Sequence, residues 1–479
     1  MDFKNIINQI QKWDFSKIEF PKIDFSSITL PGVKMPPLKI GSLTARMPIV
    51  QGGMGVGISL SGLASSVARE GGVGIIAANG VGMTESDYFT NGVEANKRAL
   101  RKEIHKAKAN SDNGIIGINI MIALNDFHEI MDVAIEERAD ILFLGAGLPL
   151  RGIPVEKIRE AGVKIVPIVS SARAAKLIFS YWEKNYNTIP DGVVVEGPEA
   201  GGHLGFKLEQ IDDPEYRLEK IIPEVVEVIN EIGKRNKREI PVIAAGGIYT
   251  GEDIHKFLKM GASGVQMGTR FVATEECDAD PGFKQNFVDA GKEDIMIIKS
   301  PVGMPGRAIK NKFLDDVHSG VKKNFKCPWK CLESCAADKA NYCISIALNN
   351  ARKGKMKHGY AFSGSNAYRI DSIVSVKELL GELRTEYNSI ADISFEKIRQ
   401  EFEQIKEKLV KIKNEYEKII EEFVSQLKDD YSKALQKKSD YLNVELRKQK
   451  ARLMELKSEF KKGISDLSLL YKEFVSQTT

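Results

Sequence analysis

Between residues 41 and 310, short apolar runs bounded by glycine or proline alternate with longer stretches in which apolar residues recur every three or four positions. The short runs are rich in Val and Ile, as buried strands are, and the longer stretches are typical of helices that bury one face. Helices are predicted at Leu60–Glu70, Phe127–Glu137 and Ile254–Met260. Eight strands are predicted, at Pro48–Gln51, Gly74–Ala78, Gly114–Met121, Ile141–Gly145, Lys164–Val169, Gly192–Glu196, Pro241–Ala245 and Gly264–Gly268.

This alternation predicts an α/β fold. Short apolar strands that alternate with helices are typical of a parallel sheet covered by helices. Eight such units in succession fit a (β/α)8 barrel, or TIM barrel. A doubly wound open sheet is the alternative. Glycine-rich loops follow several of the strands rather than only the first, and this recurrence favours the barrel.

Residues 386–479 have a different character, with one glycine, no proline and many Lys and Glu residues. Apolar residues here alternate at spacings of three and four, the heptad pattern of helices that pack along a seam. The seam contains Phe395, Ile398, Phe402, Ile405, Leu409, Ile412, Tyr416, Ile419 and Phe423. After two spacings of four, at Leu427 and Tyr431, it resumes at Leu442, Leu446, Leu453, Leu456, Phe460, Leu467, Tyr471 and Phe474. We predict a coiled coil or an antiparallel helical hairpin, through which the chain forms a homo-oligomer or binds an unknown protein partner.

Two further segments complete the predicted organisation. Residues 1–40 form an N-terminal leader, in which short aromatic pieces are separated by prolines. We expect it to wrap around the next domain or a partner subunit. Residues 311–385 carry four of the five cysteines and are predicted to form a separate helical segment. The predicted domains are therefore the leader, a barrel at 41–310, the cysteine segment and the coiled-coil tail at 386–479.

Composition narrows the function classes. The formal net charge of +4 is too small to indicate a nucleic-acid partner. Five cysteines, an odd number, argue against a secreted disulfide scaffold. The first residues lack the basic and apolar regions of a signal peptide, and no window of about 18 apolar residues predicts a membrane span. These features predict a soluble cytoplasmic protein.

Four strand-end loops are rich in glycine, and in a barrel they would meet on the face where active sites form. The loops after the seventh and eighth strands commonly hold a phosphate there, through backbone N–H groups such as those of Gly246, Gly247, Gly268 and Thr269. A phosphate beside neutral glycine-rich walls indicates FMN. The loops after the first and second strands would then flank the flavin ring through Met54, Gly55 and Asn79.

The loop Gly197–Gly205, GPEAGGHLG, directly follows a predicted strand and presents one histidine, His203. Glycines let a backbone approach a flat or phosphorylated ligand closely. Histidine is the side chain whose ordinary pKa lies nearest neutrality, so it is suited to act as a base. A surface turn with a structural histidine is the alternative for this loop alone.

Five motifs in order, PIVQGGMG, AANG, VVVEGPEAGGHLG, PVIAAGGI and GVQMGTRF, resemble the FMN-dependent nitronate monooxygenases, also called 2-nitropropane dioxygenases. The related FMN-dependent enoyl-thioester reductases share the pattern. The resemblance covers residues 38–310 and implies a barrel with one non-covalent FMN. It implies His203 as the catalytic residue. It implies flavin contacts from Met54, Gly55, Asn79, Glu196, Ala200, Gly201, Gly202, Gly246, Gly247, Gly268 and Thr269.

The resemblance predicts an oxidoreductase that converts alkyl nitronates and O2 into carbonyl compounds and nitrite. The alternative is an NAD(P)H-dependent flavin reductase of enoyl thioesters or quinones. The role of His203 differs among substrates. It would remove the α-proton of a nitroalkane, bind a nitronate while protonated, or polarise a thioester carbonyl. Ser300–Arg307 resembles the loop that reaches back over the active site in the reductases, where it would be a lid or a plain connector.

The cysteines at positions 327, 331, 335 and 343 are spaced four or eight apart. On a helix these spacings would keep the thiols near one face. Four thiolates are the ligand set of an iron–sulfur cluster, and a structural zinc or a set of small buried apolar side chains are the alternatives. We therefore predict a metal site at Cys327, Cys331, Cys335 and Cys343.

Overall fold

In the computed structural model of the protein, the described residues are 34–434 without 328, 329 and 334, together with scattered helical positions between 448 and 469. Residues Met35–Ile393 form one compact unit, and the described residues from Ser394 onward belong to a second. The predicted leader, apart from its last seven residues, lies outside the described residues.

The described strands confirm the predicted alternation and add a hairpin at each end of the barrel sequence. They are β1 (Leu38–Ile40), β2 (Leu43–Ala45), β3 (Ile49–Gln51), β4 (Val73–Ala77), β5 (Ile115–Met121), β6 (Ile141–Gly145), β7 (Lys164–Val169), β8 (Val193–Glu196), β9 (Gly202–His203), β10 (Val242–Ala245), β11 (Gly264–Met267), β12 (Ile295–Lys299) and β13 (Pro305–Ile309). All eight predicted strands are present, with ends that differ by at most one residue.

The described helices are α1 (Ser61–Arg69), α2 (Gly92–Asn110), α3 (Phe127–Glu136), α4 (Val155–Glu160), α5 (Ala172–Tyr186), α6 (Leu218–Asn236), α7 (Gly251–Lys259), α8 (Thr269–Val272), α9 (Pro281–Val288), α10 (Lys312–His318), α11 (Ile344–Arg352) and α12 (Val376–Ala434). The three helices predicted from apolar spacing correspond to α1, α3 and α7. No helix in the described part of the chain is long and apolar enough to cross a membrane.

Eight strands close into a parallel barrel in the order β10-β11-β3-β4-β5-β6-β7-β8. The barrel confirms the predicted α/β fold and excludes the open sheet. The strand register places the carboxyl ends of neighbouring strands side by side, because Ala245 at the end of β10 pairs with both Glu196 on β8 and Gln266 on β11. Loops that follow these strands therefore meet at one end of the barrel.

The hairpin β1–β2 covers the amino end of the barrel. Leu38, Ile40 and Ala45 belong to the same buried cluster as the inward-facing barrel residues, among them Phe143. Leu38 lies beside Gly264, the first residue of β11, where a Cβ atom would approach the leucine side chain to 3.1 Å. This end is filled by side chains, so the opposite end holds the open cavity.

Residues beyond the barrel pack onto its carboxyl end. Strands β12 and β13 form an antiparallel sheet with β9, which itself lies in the loop after β8. Helix α12 is continuous from Val376 to Ala434, so it covers the first part of the predicted heptad seam. The second part, from Leu442 to Phe474, lies outside the described residues.

Candidate active site

A cavity of about 330 Å³ lies at the carboxyl end of the barrel. The structure brings together there His203 and all the residues expected to contact a flavin. These are Met54, Gly55, Asn79, Glu196, Ala200, Gly201, Gly202, Gly246, Gly247, Gly268 and Thr269. Residues from five separate loops therefore line one cavity, because the loops that follow parallel barrel strands lie at the same end of the barrel.

The loops after β10 and β11 expose backbone to the cavity. Gly246 and Gly247 both have left-handed backbone, with φ of 97° and 80°. A Cβ atom on Gly246 would lie 3.0 Å from the backbone nitrogen of Ala200 and the carbonyl oxygen of Gly197. A Cβ atom on Gly268 would meet nothing within 4 Å. The loop at Gly246 therefore packs against the loop after β8, whereas the loop at Gly268 borders open space in the cavity.

The loops after β3 and β4 hold each other in place. The Val56 N–H donates to the Asn79 carbonyl oxygen at 2.7 Å, and the Met54 N–H donates to Ser59 Oγ at 2.7 Å. A Cβ atom on Gly55 would lie 3.1 Å from Asn79 Nδ2. A glycine at this position therefore lets the two loops approach each other closely.

His203 is held by a strand from beyond the barrel. It pairs with Gly306 of β13, and its ring lies edge-on to Phe362, with ring centroids 5.1 Å apart. Its Nε2 lies 2.7 Å from Ser300 Oγ. Burial lowers the pKa of His203 to about 4. Burial therefore favours the neutral form of the imidazole near pH 7.

The tautomer of His203 decides which atom donates in its contact with Ser300. A hydroxyl has one proton and two lone pairs, so Ser300 Oγ, which also accepts from Val302 N–H at 3.4 Å, can donate to Nε2 or accept from an Nε2–H. Where the hydroxyl donates, Nδ1 of His203 carries the ring proton and is a hydrogen-bond donor. The segment Ser300–Arg307 thus reaches back to the loop that carries His203, although none of its residues lines the cavity.

The side chain of Arg307 binds the backbone of the loop that carries His203. Its Nη1 donates to the carbonyl oxygens of Pro198 at 2.6 Å and Ala200 at 2.8 Å. The side chain is only 7% exposed. Burial lowers the pKa of its guanidinium, and Glu199 opposes this effect. One buried arginine therefore fixes two carbonyl groups of the loop that carries His203.

Glu196 ends β8 and lines the cavity. Burial raises the pKa of its carboxyl group to about 7, from an ordinary value of 4.5. Near neutral pH the group is therefore poised between its neutral and ionised forms. It offers the cavity either a hydrogen-bond donor or a negative charge.

Residues 361–366 form a wall that sequence reasoning missed. Gly364 N–H donates to Thr269 Oγ1 at 2.9 Å, and Asn366 Nδ2 donates to the Gly247 carbonyl oxygen at 2.6 Å. Ser363 Oγ is buried and has no hydrogen-bond partner in the part of the chain that the structure describes. The run Ser363–Asn366, three small residues and an asparagine after an apolar pair, is the one sequence signal for a loop here.

The four clustered cysteines do not lie on a helix, contrary to the prediction. The backbone from Val321 to Tyr342 is irregular in its described positions, and Cys343 immediately precedes α11. As placed, no three His, Cys, Asp or Glu side chains among the described residues are arranged to hold a metal ion.

Known proteins similar to this chain agree with its fold. The sequence profile for nitronate monooxygenase matches residues 37–386. The chain is 25% identical over 296 residues to a probable nitronate monooxygenase of Staphylococcus aureus, which covers 57% of this chain and 78% of that protein. The structure of FabK from Thermotoga maritima has a TM-score of 0.57 and 27% identity, and covers 74% of this chain and 96% of that one.

A third relative is named for a different reaction, as a dehydrogenase. The chain is 29% identical over 274 residues to the (3aS,4S,5R,7aS)-5-hydroxy-7a-methyl-1-oxo-octahydro-1H-indene-4-carboxyl-CoA dehydrogenase of Rhodococcus jostii. This match covers 57% of the chain and 65% of the relative, less than two thirds of its length. With the profile match over most of its length and the glycine-lined barrel cavity, the chain belongs to the nitronate monooxygenase family of oxidoreductases.

Proposed function

We propose that the carboxyl-end cavity holds one non-covalent FMN. The open space beside Gly268 and the left-handed glycines of the preceding loop fit a phosphate group held by backbone. Gly246, Gly247, Gly268 and Thr269 would hold that phosphate. Met54, Gly55, Asn79, Glu196, Ala200, Gly201 and Gly202 would line the rest of the flavin. When bound, FMN supplies electron transfer between an organic substrate and O2.

We propose oxidation of alkyl nitronates to carbonyl compounds and nitrite as the reaction. The observation that carries this proposal is the position of His203, which lines the cavity with its Nε2 2.7 Å from Ser300 Oγ. With the hydroxyl of Ser300 donating to Nε2, the Nδ1–H of His203 would be the hydrogen-bond donor for the substrate. A nitronate is already an anion, so it needs no base to remove a proton. His203 would orient it by donating a hydrogen bond to a nitronate oxygen.

A reductase of enoyl thioesters or quinones is the second candidate. It is supported by the similarity to FabK of Thermotoga maritima over most of that chain. The same Nδ1–H of His203 would then donate to a thioester carbonyl oxygen. The reducing agent would be NADH or NADPH instead of the organic substrate, which makes the two candidates separable.

Nitrite formation from an alkyl nitronate in air tests the first candidate. The flavin-loaded protein should release nitrite and carbonyl product in equal amounts. His203→Ala should retain FMN and lose about 10- to 100-fold in nitrite formation, the range for losing one hydrogen bond to a charged group. His318→Ala, an exposed histidine on α10, is the matched control and should match the wild type. Nitrite formation that is unchanged in His203→Ala would remove His203 from the catalytic role.

We propose that the tail from residue 386 is an antiparallel helical hairpin. Ile405, Ile412 and Ile419 recur every seven residues and are all partly buried. Arg452, 37 residues beyond Glu415, nonetheless places Nη2 2.8 Å from Glu415 Oε1. A chain that folds back on itself brings such residues together. Homo-oligomer formation through this seam, the domain boundaries and the cytoplasmic location stay predictions.

A further inference from the structure

A second, smaller cavity is lined by four of the five cysteines. Cys327, Cys331, Cys335 and Cys343 all face a space of about 20 Å³. The fifth, Cys277, is buried elsewhere, where its thiol contacts the Ile58 carbonyl oxygen. Most of the thiols in the chain are therefore gathered at one place, although 16 residues separate the first from the last.

The rest of the lining of this cysteine cavity is largely apolar. The side chains of Met83, Tyr88 and Phe89 line the same space and keep it apolar.

The cysteine cavity and the active-site cavity share a wall. Leu332, Ile344 and Ser345 each line both spaces. Each of these residues is next to, or two positions from, a clustered cysteine, and Ser345 Oγ lies 3.4 Å from Cys331 Sγ. A single layer of side chains therefore separates the thiols from the cavity proposed to hold FMN.

We propose that Cys327, Cys331, Cys335 and Cys343 bind one iron–sulfur cluster, which exchanges electrons with the flavin across this wall. The inference rests on the proposed FMN site. Four thiolates are the ligand set of such clusters, and the apolar lining limits solvent access, one of the factors that set a cluster's potential. A structural zinc would bind thiolates too, but it has no redox chemistry and no need to lie beside the active site.

Binding requires the thiols to draw together. As placed, they are not arranged around a metal ion. A metal site is rarely preformed without its metal, and its assembly is coupled to local folding. Cys327 and Cys335 lie on irregular backbone, whereas Cys331 is held in place, since its carbonyl oxygen accepts from Asn125 N–H at 3.2 Å. We therefore expect Cys327 and Cys335 to move toward Cys331 and Cys343 when the cluster binds. The iron also displaces the thiol protons, since only thiolates are ligands.

The electron balance defines the partner. A cluster passes one electron at a time, whereas full reduction of a flavin takes two electrons and two protons. In the proposed reaction the nitronate reduces the flavin, so the cluster carries two electrons away from the reduced flavin in two passages, and two protons go to solvent. Two molecules of an oxidised one-electron carrier protein each accept one electron, and water supplies the carbonyl oxygen in place of O2. Passage in the opposite direction, from a reduced carrier to the flavin, would serve the reductase candidate.

Iron and sulfide analysis of the full-length protein tests the inference. The protein is incubated without oxygen with ferrous iron and sulfide, desalted, and analysed for iron, acid-labile sulfide and FMN. We expect iron and sulfide in equal molar amounts, and an electron paramagnetic resonance signal after reduction with dithionite. Photoreduction of the flavin alone should produce the same signal, because the two centres exchange electrons.

Matched variants separate a cluster from adventitious iron. Cys331→Ser with Cys335→Ser should lose iron, sulfide and the resonance signal while it keeps FMN and its circular dichroism. Cys277→Ser should keep all of them. Iron and sulfide no higher in the wild type than in the double variant, or tight binding of zinc alone, would overturn the inference. If FMN and nitrite formation persist in that case, the proposed function stands; absence of FMN would overturn the proposed function instead.

Discussion

Nε2 of His203 lies 2.7 Å from Ser300 Oγ, although 97 residues separate them in the chain. His203 lies in the loop after β8, the sixth barrel strand, and Ser300 directly follows β12. The strand pairing of β9 with β13 brings these two distant segments together. The histidine is therefore oriented by a part of the chain outside the barrel.

Ser300→Ala should lower nitrite formation about two- to tenfold, the effect of one ordinary hydrogen bond. FMN content should stay unchanged, because Ser300 does not line the cavity. In the His203→Ala background the same substitution should have no further effect, since the two residues act as a pair. Steady-state rates of all four proteins measure this coupling. Additive losses would show that Ser300 acts independently of His203.

Arg307→Ala should weaken FMN binding about 10- to 100-fold, because it removes charge-assisted hydrogen bonds to Pro198 and Ala200. Fluorescence titration of the apoprotein with FMN measures the affinity. Lys310→Ala, an exposed cation just after the same strand, serves as the control and should bind FMN normally. If Arg307→Ala bound FMN with the affinity of the wild type, the loop that carries His203 would keep its conformation without these hydrogen bonds, and the role given to Arg307 would be wrong.

Gly246→Ala should abolish FMN binding at concentrations that saturate the wild type. The new Cβ atom would crowd the backbone of Gly197 and Ala200, at a φ of 97° that disfavours side chains. Gly162→Ala is the matched control, because Gly162 also has positive φ, 76°, but has nothing within 4 Å of its Cβ position. That variant should lose about 1 kcal/mol of stability and keep FMN. Normal flavin content in Gly246→Ala would contradict the proposed phosphate site.

Glu196→Gln should change how stability depends on pH in the flavin-free protein. The folded-state pKa of about 7 lies above the ordinary 4.5, so the stabilisation from this group is present at low pH and is lost as the pH rises through 7. The variant should therefore gain about 1 to 3 kcal/mol over the wild type between pH 5 and pH 8.5. His203 is present in both proteins, so its own titration cancels. Urea unfolding measures the free energy of unfolding of both proteins at both pH values. The advantage of the variant over the wild type should be larger at pH 8.5 than at pH 5, and an equal difference at the two pH values would contradict the raised pKa of Glu196.

The barrel and most of its cavity follow from local sequence signals. Runs such as Val193–Glu196, ending at a glycine loop, identify the strands, and parallel topology then places the loops together. Phe362 and Ser363 could not be found in this way, because their contacts with the cavity depend on how the chain returns over the barrel. The sequence identifies Arg307 as part of the Ser300–Arg307 loop. It does not predict that the Arg307 side chain donates to the carbonyl oxygens of Pro198 and Ala200.

The cysteine spacing shows a complementary limit. The four thiols line one small space, since short spacings keep residues close whatever the backbone does, and the metal site predicted from them stays a prediction. The predicted helix was wrong because spacings of four and eight are compatible with other backbones. A periodic pattern of only three or four positions does not determine secondary structure.

Anaerobic mixing of the flavin-loaded protein with an alkyl nitronate, NADH or NADPH tests the central claim most directly. Flavin absorbance reports which compound reduces the cofactor, without interference from O2. The account predicts that the nitronate bleaches the flavin rapidly and that this is slowed in His203→Ala, while the nicotinamides have little effect. Rapid bleaching by NADH or NADPH and none by the nitronate would contradict it, and would assign the site to the reductases.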